Sequence, residues 1–455
     1  MINRRQCQRI SDFIITYAGD RVRGIEVLIN GLDEASSRFA NNELTDHLHG
    51  TAASVTIGVQ LKGRTAVFSG DDLTRAGLRR LVDGAIAYAE HLPHDNTTLA
   101  LIKPSDRTSD SAVKAALRHY DDRVERLIKN EAARVKHVQA VLDVARRYRQ
   151  KAAGIYQVTT SAFATANSNG VFRFDRQTDV ECSVTMTSRT ASGWQKECGN
   201  TVKSVNVTAL AERAAQIAVK SRDPIYVRPG EYTVILTPAA VLDLIGFLFE
   251  DLEGSGHWDE SSSFAGKIGK RILGRNITIR DDVYHPLQFG CPFDDEGLNR
   301  EAVTLVENGV IRNPVKSRRS VIELGGHATG HGVGPSAGEG EGAVNIVMDG
   351  GDSSLEEMIA STKRGLLMTR VWYVRDVDPN TKLLTGMTRD GTFLIEDGKL
   401  KRGVKNMRFN QSAIQMLRHA VELGKPVLAA GEECFPAVVP PMKVENFRFS
   451  SRTRG

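Results

Sequence analysis

The chain has 455 residues, of which 41% are hydrophobic and 25% charged, a composition typical of a folded globular protein. This length exceeds the size at which a single core usually stops growing, so two domains are expected. The net charge of +5 is a small difference between 60 basic and 55 acidic residues, and no apolar run is long enough to span a bilayer, which argues against nucleic-acid and membrane partners.

The first twenty residues predict a helix. They begin with basic residues, but the apolar residues recur at helical spacing and form no continuous apolar run before a small-residue cleavage site. The five cysteines are scattered and form no C-x-x-C pair, a pattern that favours a reducing compartment over a disulfide framework. A cytoplasmic protein is therefore expected.

The rest of the first half predicts a sheet covered by helices. Alternating residues from Val55 to Leu61, a Lys62-Gly63 turn and Thr65–Phe68 are typical of an antiparallel hairpin. Further strands are predicted at Glu26–Asn30, Ser36–Asn42, Ile155–Phe163, Val171–Asp175, Cys182–Ser188 and Lys203–Val207. Helices are predicted at Leu73–Ala89, Asp122–Arg149 and Leu210–Val219.

A domain boundary is predicted in the segment 220–230, which carries two prolines and a glycine and has little apolar periodicity. The second half opens with a strand at Tyr232–Leu236 and a helix at Ala239–Leu252. Later strands are predicted at Asn276–Arg280, Val303–Glu307, Gly365–Val374 and Gly391–Ile395. The expected fold is α+β, with an N-terminal domain of residues 1–222 and a strand-rich, barrel- or sandwich-like domain of residues 223–455.

The segment Val241–Phe264 has the layout of a metallopeptidase helix but lacks its ligands. A zinc hydrolase needs imidazoles or carboxylates that converge on one ion. Phe249 and Gly254 stand where a His-Glu-x-x-x-His helix would carry its two histidines, although Glu250 keeps the carboxylate. The sequence therefore predicts no metal site and no catalytic residue in this chain.

Two histidine patterns compete with this interpretation. Glu253 and His257 are four residues apart, but Gly254 and Gly256 between them favour a loop, and a role for the pair remains open. His327 and His331 repeat the spacing within GGHATGHGVG, where glycines again favour a loop that lets backbone approach a ligand.

Other chemical signals are weak. The acids Asp294–Glu296 before Gly297 predict a turn, because Asp and Gly favour turns. Cys434 follows two glutamates that disfavour its thiolate. No Gly-x-Ser-x-Gly elbow or assignable Ser/His/Asp set is present.

Several segments, in this order and at this spacing, resemble the TldD/PmbA family. They are SSRFANNELTDH (Ser36–His47), NSNG (Asn167–Gly170), SSSFAGKIGKRI (Ser261–Ile272), ITIRDD (Ile277–Asp282), FDDEGLNREAVTLVENGVI (Phe293–Ile311), ATGHG (Ala328–Gly332) and most of Thr362–Asn410. Members of this family form two-domain proteins tied to peptide processing and were once described as modulators of DNA gyrase.

The resemblance is strongest to the metal-free TldE/PmbA-like subunit, because the zinc helix and late cysteine ligand of TldD-like subunits are missing. It implies a heterodimer in which a TldD-like partner holds zinc and cleaves unfolded or modified peptides, while this chain holds no cofactor. It also suggests that loops and strand edges of this chain contact the peptide substrate. The candidate substrate-binding residues are Arg38, Asn41, Asn42, Thr329, Gly330 and His331.

Two alternatives remain open. One is a stand-alone, metal-free protein that regulates a peptide- or DNA-associated target. The other is an enzyme that uses an irregular site at Glu253 and His257. The sequence also leaves open whether the chain forms a homodimer or a heterodimer.

Overall fold

A computed structural model describes residues 1–96, 98–106, 119–335, 338 and 340–453. The described part of the N-terminal half contains one antiparallel sheet with strand order β3-β2-β1-β4-β5-β6. Its strands are β1 (Gly24–Ala40), β2 (Glu43–Leu61), β3 (Arg64–Gly70), β4 (Lys151–Asn167), β5 (Phe172–Thr187) and β6 (Ser192–Gly199).

Helices cover one face of this sheet. They are Arg4–Ala18, Arg75–His91, Asp122–Lys129, Glu131–Tyr148 and Val207–Lys220. Alternate strand residues such as Val27, Ile29 and Ile57 point to this face and are fully buried, as expected for a period of two. None of these helices lies on the opposite face, and the C-terminal half packs on one end of it.

The described part of the C-terminal half contains two sheets. Strands β7 (Gly230–Leu236), β12 (Arg364–Met368), β13 (Val371–Asp378), β14 (Leu383–Thr388), β15 (Thr392–Glu396), β16 (Lys399–Gly403), β17 (Met407–Ser412), β18 (Ala420–Leu423) and β21 (Met442–Arg452) form a nine-stranded sheet. Strands β8 (Ile279–Asp281), β9 (Val303–Glu307), β10 (Val310–Ile311), β11 (Ile346–Met348), β19 (Val427–Ala429) and β20 (Ala437–Val439) form a six-stranded sheet in the order β10-β9-β8-β11-β20-β19.

Short helices connect these strands at Pro238–Ile245, Gly254–Trp258, Arg318–Leu324, Leu355–Ala360 and Ala413–Arg418. One large hydrophobic cluster joins the helix Pro238–Ile245 to both sheets. The α+β class, with a helix-covered N-terminal sheet and a strand-rich C-terminal half, is confirmed. No helix among the described residues has the length and apolar character needed to cross a bilayer.

Several predicted elements were wrong in detail. The predicted helix Asp122–Arg149 is two helices, because Asn130 leaves helical geometry and its side chain accepts a hydrogen bond from the amide of Ala133. The two short strands predicted before residue 43 are one strand, β1. The predicted strand Lys203–Val207 is a 3₁₀ turn, Val202–Ser204, that leads into a helix beginning at Val207. Strand β6 was not predicted.

A second group of contacts joins the N-terminal and C-terminal halves at β6, away from the place where the C-terminal half packs on the face of the N-terminal sheet. The side chain of Ser192 bonds to Asp390, and Lys196 Nζ donates to the carbonyl of Gly431 at 3.1 Å. The guanidinium carbon of Arg370 lies 4.3 Å from the ring centre of Trp194 in β6 and 4.8 Å from that of Trp372. These contacts hold β6 against the C-terminal half.

Candidate functional site

The segment that follows β7 begins as a helix with Pro238 in its first turn. This helix ends at Ile245, before the predicted end at Leu252. Two 3₁₀ turns, Gly246–Leu248 and Glu250–Leu252, replace the second half of the predicted helix. At Gly246 a Cβ would lie only 2.8 Å from the Sγ atom of Cys434, so the neighbouring chain packs directly on this backbone.

A short helix, Gly254–Trp258, occupies the stretch that was predicted as a loop. The amide of Gly254 bonds to the carbonyl of Val315 at 2.9 Å, and a Cβ at this position would lie 3.1 Å from that carbonyl. The low helix propensity of glycine is outweighed here, because its lack of a side chain permits close packing against the backbone of Val315.

Most side chains on the 238–252 segment are buried in the protein interior, although Glu250 is exposed. Phe249 packs against Phe435, with ring centres 5.4 Å apart. Asp243 is fully buried, and its carboxylate accepts hydrogen bonds of 2.9 Å from the amides of Glu432 and Glu433. Burial raises the pKa of Asp243 to about 7. Burial also raises the pKa of the Cys434 thiol to about 12, with the nearby Asp243 adding to the effect.

Glu253 and His257 also bind backbone. The amide of Ala343 donates to Glu253 at 3.3 Å, and burial raises the pKa of Glu253 to about 7. His257 Nε2 lies 3.2 Å from the carbonyl oxygen of Asp251, and burial lowers the pKa of the imidazole. Glu253 is the extended residue that precedes the short helix, whereas His257 lies inside it.

These residues do not fit a zinc site. Asp243, Glu253 and His257 hydrogen-bond to backbone, and Cys434 packs directly against the backbone of Gly246. Within the described ranges, no three His, Cys, Asp or Glu side chains are grouped as metal ligands.

The glycine-rich loop at Thr329, Gly330 and His331 is tied into the interior. His331 Nε2 lies 3.1 Å from Asp281 Oδ1, and neither side chain is exposed. Burial alone would raise the pKa of Asp281, but its hydrogen bond and charge interaction with His331 hold it below the usual value. On the other side of the ring, Nδ1 lies 2.9 Å from Thr329 Oγ1, which also accepts the amide of Lys316 at 2.8 Å.

Gly330 is needed for this packing. It has a φ of +72°, and a Cβ there would lie 2.0 Å from the carbonyl oxygen of Asn299. His327, the other histidine of the pattern, lies on the surface and pairs with Glu301 at 2.9 Å. The order Thr329–His331–Asp281 resembles a catalytic triad, but burial separates it from solvent and gives it a structural role.

Arg38, Asn41 and Asn42 lie at the hairpin between β1 and β2. Asn41 and Asn42 have φ values of 52° and 66°, which a tight hairpin turn requires. The side-chain amide of Asn42 donates to the carbonyl of Gln150 at 2.8 Å and accepts from the amide of Ala152 at 2.6 Å. Arg38 and Asn41 remain exposed.

The two groups of candidate residues are not brought together. Gly58 pairs with Glu26 near the start of β1, and a Cβ at Gly58 would lie 2.4 Å from Pro335, which follows the His331 loop. Arg38 is twelve residues further along β1, about 40 Å at the rise of an extended strand. The hairpin and the loop therefore lie near opposite ends of β1.

The acidic segment Asp294–Glu296 forms the predicted turn. The carboxylate of Asp294 accepts the amides of Leu298 and Gly332, and Glu296 pairs with Arg318 at 2.8 Å. This turn meets the face of the sheet that the described helices leave uncovered, since the carbonyl of Asp295 accepts the hydroxyl of Thr165 at 2.7 Å.

A large cleft between the two halves was not predicted. It has a volume of about 990 Å³, in the range of ligand sites. Its lining includes the consecutive residues 194–200 and 427–430. Because successive side chains of a strand point to opposite faces, such unbroken runs indicate that the edges of β6 and β19 face the cleft. Both are the outermost strands of their sheets.

One wall of this interdomain cleft is apolar and another is basic. Leu367 and Phe393, with the partly buried Ile217, Leu355 and Leu400, belong to one hydrophobic cluster. The basic side chains are Lys196, Arg213 and Lys220. Trp194, Lys196 and Cys198 lie at every second position, and this spacing is the one signal in the sequence that could have predicted β6. The cleft itself joins segments too far apart in sequence to be predicted.

Comparison with known proteins gives consistent matches. The profile of the PmbA/TldA metallopeptidase C-terminal domain matches residues 229–451, and that of the central domain matches residues 106–222. A metalloprotease of Methanocaldococcus jannaschii is 28% identical over 199 residues, 41% of this chain and 42% of that protein. A metalloprotease of Methanothermobacter thermautotrophicus is 24% identical over 58% of this chain and 60% of its own length.

The matches to these two relatives thus span less than two thirds of their lengths. Metalloprotease PmbA of Escherichia coli O157:H7 is 20% identical over 94% of this chain and 93% of its own length. Among solved structures, TldE from Thermococcus kodakarensis has a TM-score of 0.86 at 20% identity, covering 97% of this chain and all of that one. A candidate modulator of a DNA gyrase from Thermotoga maritima has a TM-score of 0.85 at 19% identity, covering 97% of this chain and all of that one.

Proposed function

Because this chain belongs to the PmbA/TldD metallopeptidase family, we propose that it is the non-catalytic, TldE/PmbA-like subunit of a heterodimeric zinc metallopeptidase. In this proposal a TldD-like partner holds the zinc ion and cleaves unfolded or modified peptides in the cytoplasm. This chain helps to form the cleft that holds the substrate.

One observation carries the proposal. In the segment where a metallopeptidase helix is expected, most side chains pack in the core or bind backbone, although Glu250 is exposed. Phe249 packs against Phe435, Asp243 binds two amides, and Gly246 lies against Cys434. A zinc site needs several imidazole, carboxylate or thiolate ligands that converge on one ion, and the side chains of this segment do not supply such a set.

Two of the six candidate substrate-binding residues are available for direct contact. Arg38 and Asn41 are exposed, and Arg38 makes no ion pair with any described residue. In the proposed complex these two contact the peptide. The other four position the turn and the loop through the contacts given above.

The proposal is tested with the full chain, alone and together with a co-encoded relative that carries an intact His-Glu-x-x-x-His helix. Zinc content is measured by mass spectrometry, and cleavage is measured on an unfolded casein peptide. We expect stoichiometric zinc and cleavage only for the pair. His257→Ala in this chain should leave the zinc content and the cleavage rate of the pair unchanged.

Two outcomes would overturn the proposal. The first is a lone chain that holds stoichiometric zinc, cuts the peptide and loses both with His257→Ala, which would favour the Glu253–His257 enzyme. The second is a chain that forms no complex with the relative but binds DNA with a strong dependence on salt, which would favour a stand-alone regulator.

A further inference from the structure

The interdomain cleft offers four kinds of contact to a ligand. It has two strand edges, an apolar wall, basic side chains and the beginning of a helix. No one of these identifies a ligand. Together they restrict the chemistry of what fits.

The helix Pro238–Ile245 begins at the cleft, where Thr237, Pro238 and Ala239 are part of the lining. Thr237 is the N-cap, but its hydroxyl donates to the carbonyl of Thr369 at 2.9 Å and does not cap the helix. The amide of Ala239 has no acceptor among the described residues, whereas Ala240 is fully buried and is not part of the lining. Free amides at a helix N-terminus, which carries partial positive charge, are suited to an anion.

The side chains of the cleft add positive charge. Glu197 is the only acid among the described lining residues, and it pairs with Arg213. Lys196 pairs with Glu181 at 3.1 Å, whereas Lys220 has no ion-pair partner in the part of the chain that the structure describes. The cleft therefore keeps a net positive charge, which favours an anionic group on the ligand.

A buried histidine in the lining indicates a hydrogen-bond donor on the ligand. His119 is 8% exposed, and its Nε2 lies 2.8 Å from Asp175 Oδ1. Its Nδ1 has no partner among the described residues. When Nε2–H donates to the carboxylate of Asp175, Nδ1 is an acceptor that needs an N–H group.

We propose that the interdomain cleft binds the C-terminal end of an extended peptide. The terminal carboxylate lies at the amide of Ala239, with Lys220 in the same lining, and an apolar last side chain packs on the wall formed by Leu355, Leu367 and Phe393. Peptide N–H groups pair with a strand edge and with His119. A peptide C-terminus is favoured because it combines a carboxylate, N–H donors and an apolar side chain in one short segment.

This inference deepens the proposed function by naming the part of the peptide that this subunit holds, and it rests on that function for the nature of the ligand. Binding is measured with the full-length chain alone, by the fluorescence anisotropy of fluorescein-labelled Gly-Ser-Gly-Ala-Leu-Leu. The same peptide with a C-terminal amide is the matched probe. We expect the free acid to bind at least about tenfold more tightly, and the difference to shrink at high salt.

Two variants locate the carboxylate. Ala239→Asp places an acid in the first helical turn, where it is compatible with the helix but repels an anionic ligand. It should weaken binding of the acid peptide about tenfold and have a smaller effect on the amide. Lys220→Ala should weaken acid binding several-fold, whereas Lys203→Ala, an exposed lysine outside the cleft lining, should have no effect.

Equal affinity for acid and amide, or acid binding unchanged by Ala239→Asp in a chain whose circular dichroism spectrum is unaltered, would overturn the inference. Neither result depends on the partner subunit, so the proposed function would still stand on its own test. Conversely, acid-selective binding by a chain that supports no cleavage with the relative would retain this site and reject the subunit role.

Discussion

Asp243 illustrates how ionisable residues serve the fold in this protein. Its carboxylate is fully buried and holds the segment before Cys434 by accepting the amides of Glu432 and Glu433. The same pattern recurs at Asp281, which pairs with His331 and accepts the amide of Asn345. At the scale of single residues, groups that could do chemistry are occupied by structural hydrogen bonds.

The raised pKa of Asp243 predicts that the stability of the folded state depends on pH. The folded-state value of about 7 lies above the ordinary value of an aspartate, so the folded state holds a proton that the unfolded state has lost, and stability falls as the pH rises between about 4 and 7. An asparagine side chain at this position would stay neutral and could still accept both amides through its carbonyl oxygen. We therefore expect the gain in the free energy of unfolding from Asp243→Asn, relative to the unchanged protein, to be about 3–4 kcal/mol larger at pH 8 than at pH 4.

Urea denaturation at several pH values measures this difference. Asp352→Asn removes an exposed carboxylate and serves as the control, with the same small effect at each pH. If Asp243→Asn changed the free energy of unfolding by the same amount at pH 4 and at pH 8, the pKa of the buried carboxylate would not be raised.

At the scale of elements, close backbone packing decides where helices and strands meet. The helix Val207–Lys220 crosses β6 at Gly193, where a Cβ would lie 2.2 Å from the carbonyl oxygen of Ala214 and 2.6 Å from the amide nitrogen of Ala218. Both of these are backbone atoms and cannot move aside as a flexible side chain could. The side chains of the cleft that come from this helix depend on that contact for their position.

Gly193→Ala should therefore destabilise the protein by about 1–3 kcal/mol, because an added methyl group forces the helix away from the strand. Gly50→Ala in β2 is the matched control, since nothing lies within 4 Å of its added Cβ, and its effect should stay within about 0.5 kcal/mol. The midpoints of urea denaturation compare the two. Equal effects would mean that the helix adjusts its position at no cost.

At the scale of the whole molecule, the two halves meet at the turn around Asp295 and through a small set of specific contacts around β6. Arg370 is central to them, because it stacks between Trp194 and Trp372 and pairs with Asp390 at 2.5 Å while only 6% exposed. A planar guanidinium can stack on both rings and keep its ion pair, whereas an ammonium group cannot.

Arg370→Lys should weaken the junction although the charge is kept. We expect the free energy of unfolding to fall by about 1–2 kcal/mol and the emission of Trp194 to change. Arg389→Lys is the control, since Arg389 contacts the ring of Trp372 from a half-exposed position. Limited proteolysis should cut the segment 221–229 faster in Arg370→Lys than in the control. An unchanged cleavage rate would indicate that the junction does not depend on this stack.

The sequence by itself determined the class of fold and most elements of the N-terminal half, because these depend on the local spacing of apolar residues. Many short strands of the C-terminal half, such as β14 and β16–β21, were not predicted. It also determined that Phe249 and Gly254 stand where metal ligands would be expected. These conclusions need only the order of residues along one segment.

Only the tertiary structure decided where the elements end and what the polar residues contact. Asn130 interrupts a periodic helix, Gly254 joins a helix in spite of its propensity, and His331 turns inward to Asp281 because of residues far away in the chain. The interdomain cleft arises for the same reason, since β6 and β19 come from segments more than 220 residues apart. Local periodicity carries no information about such pairings, which depend on packing between distant segments.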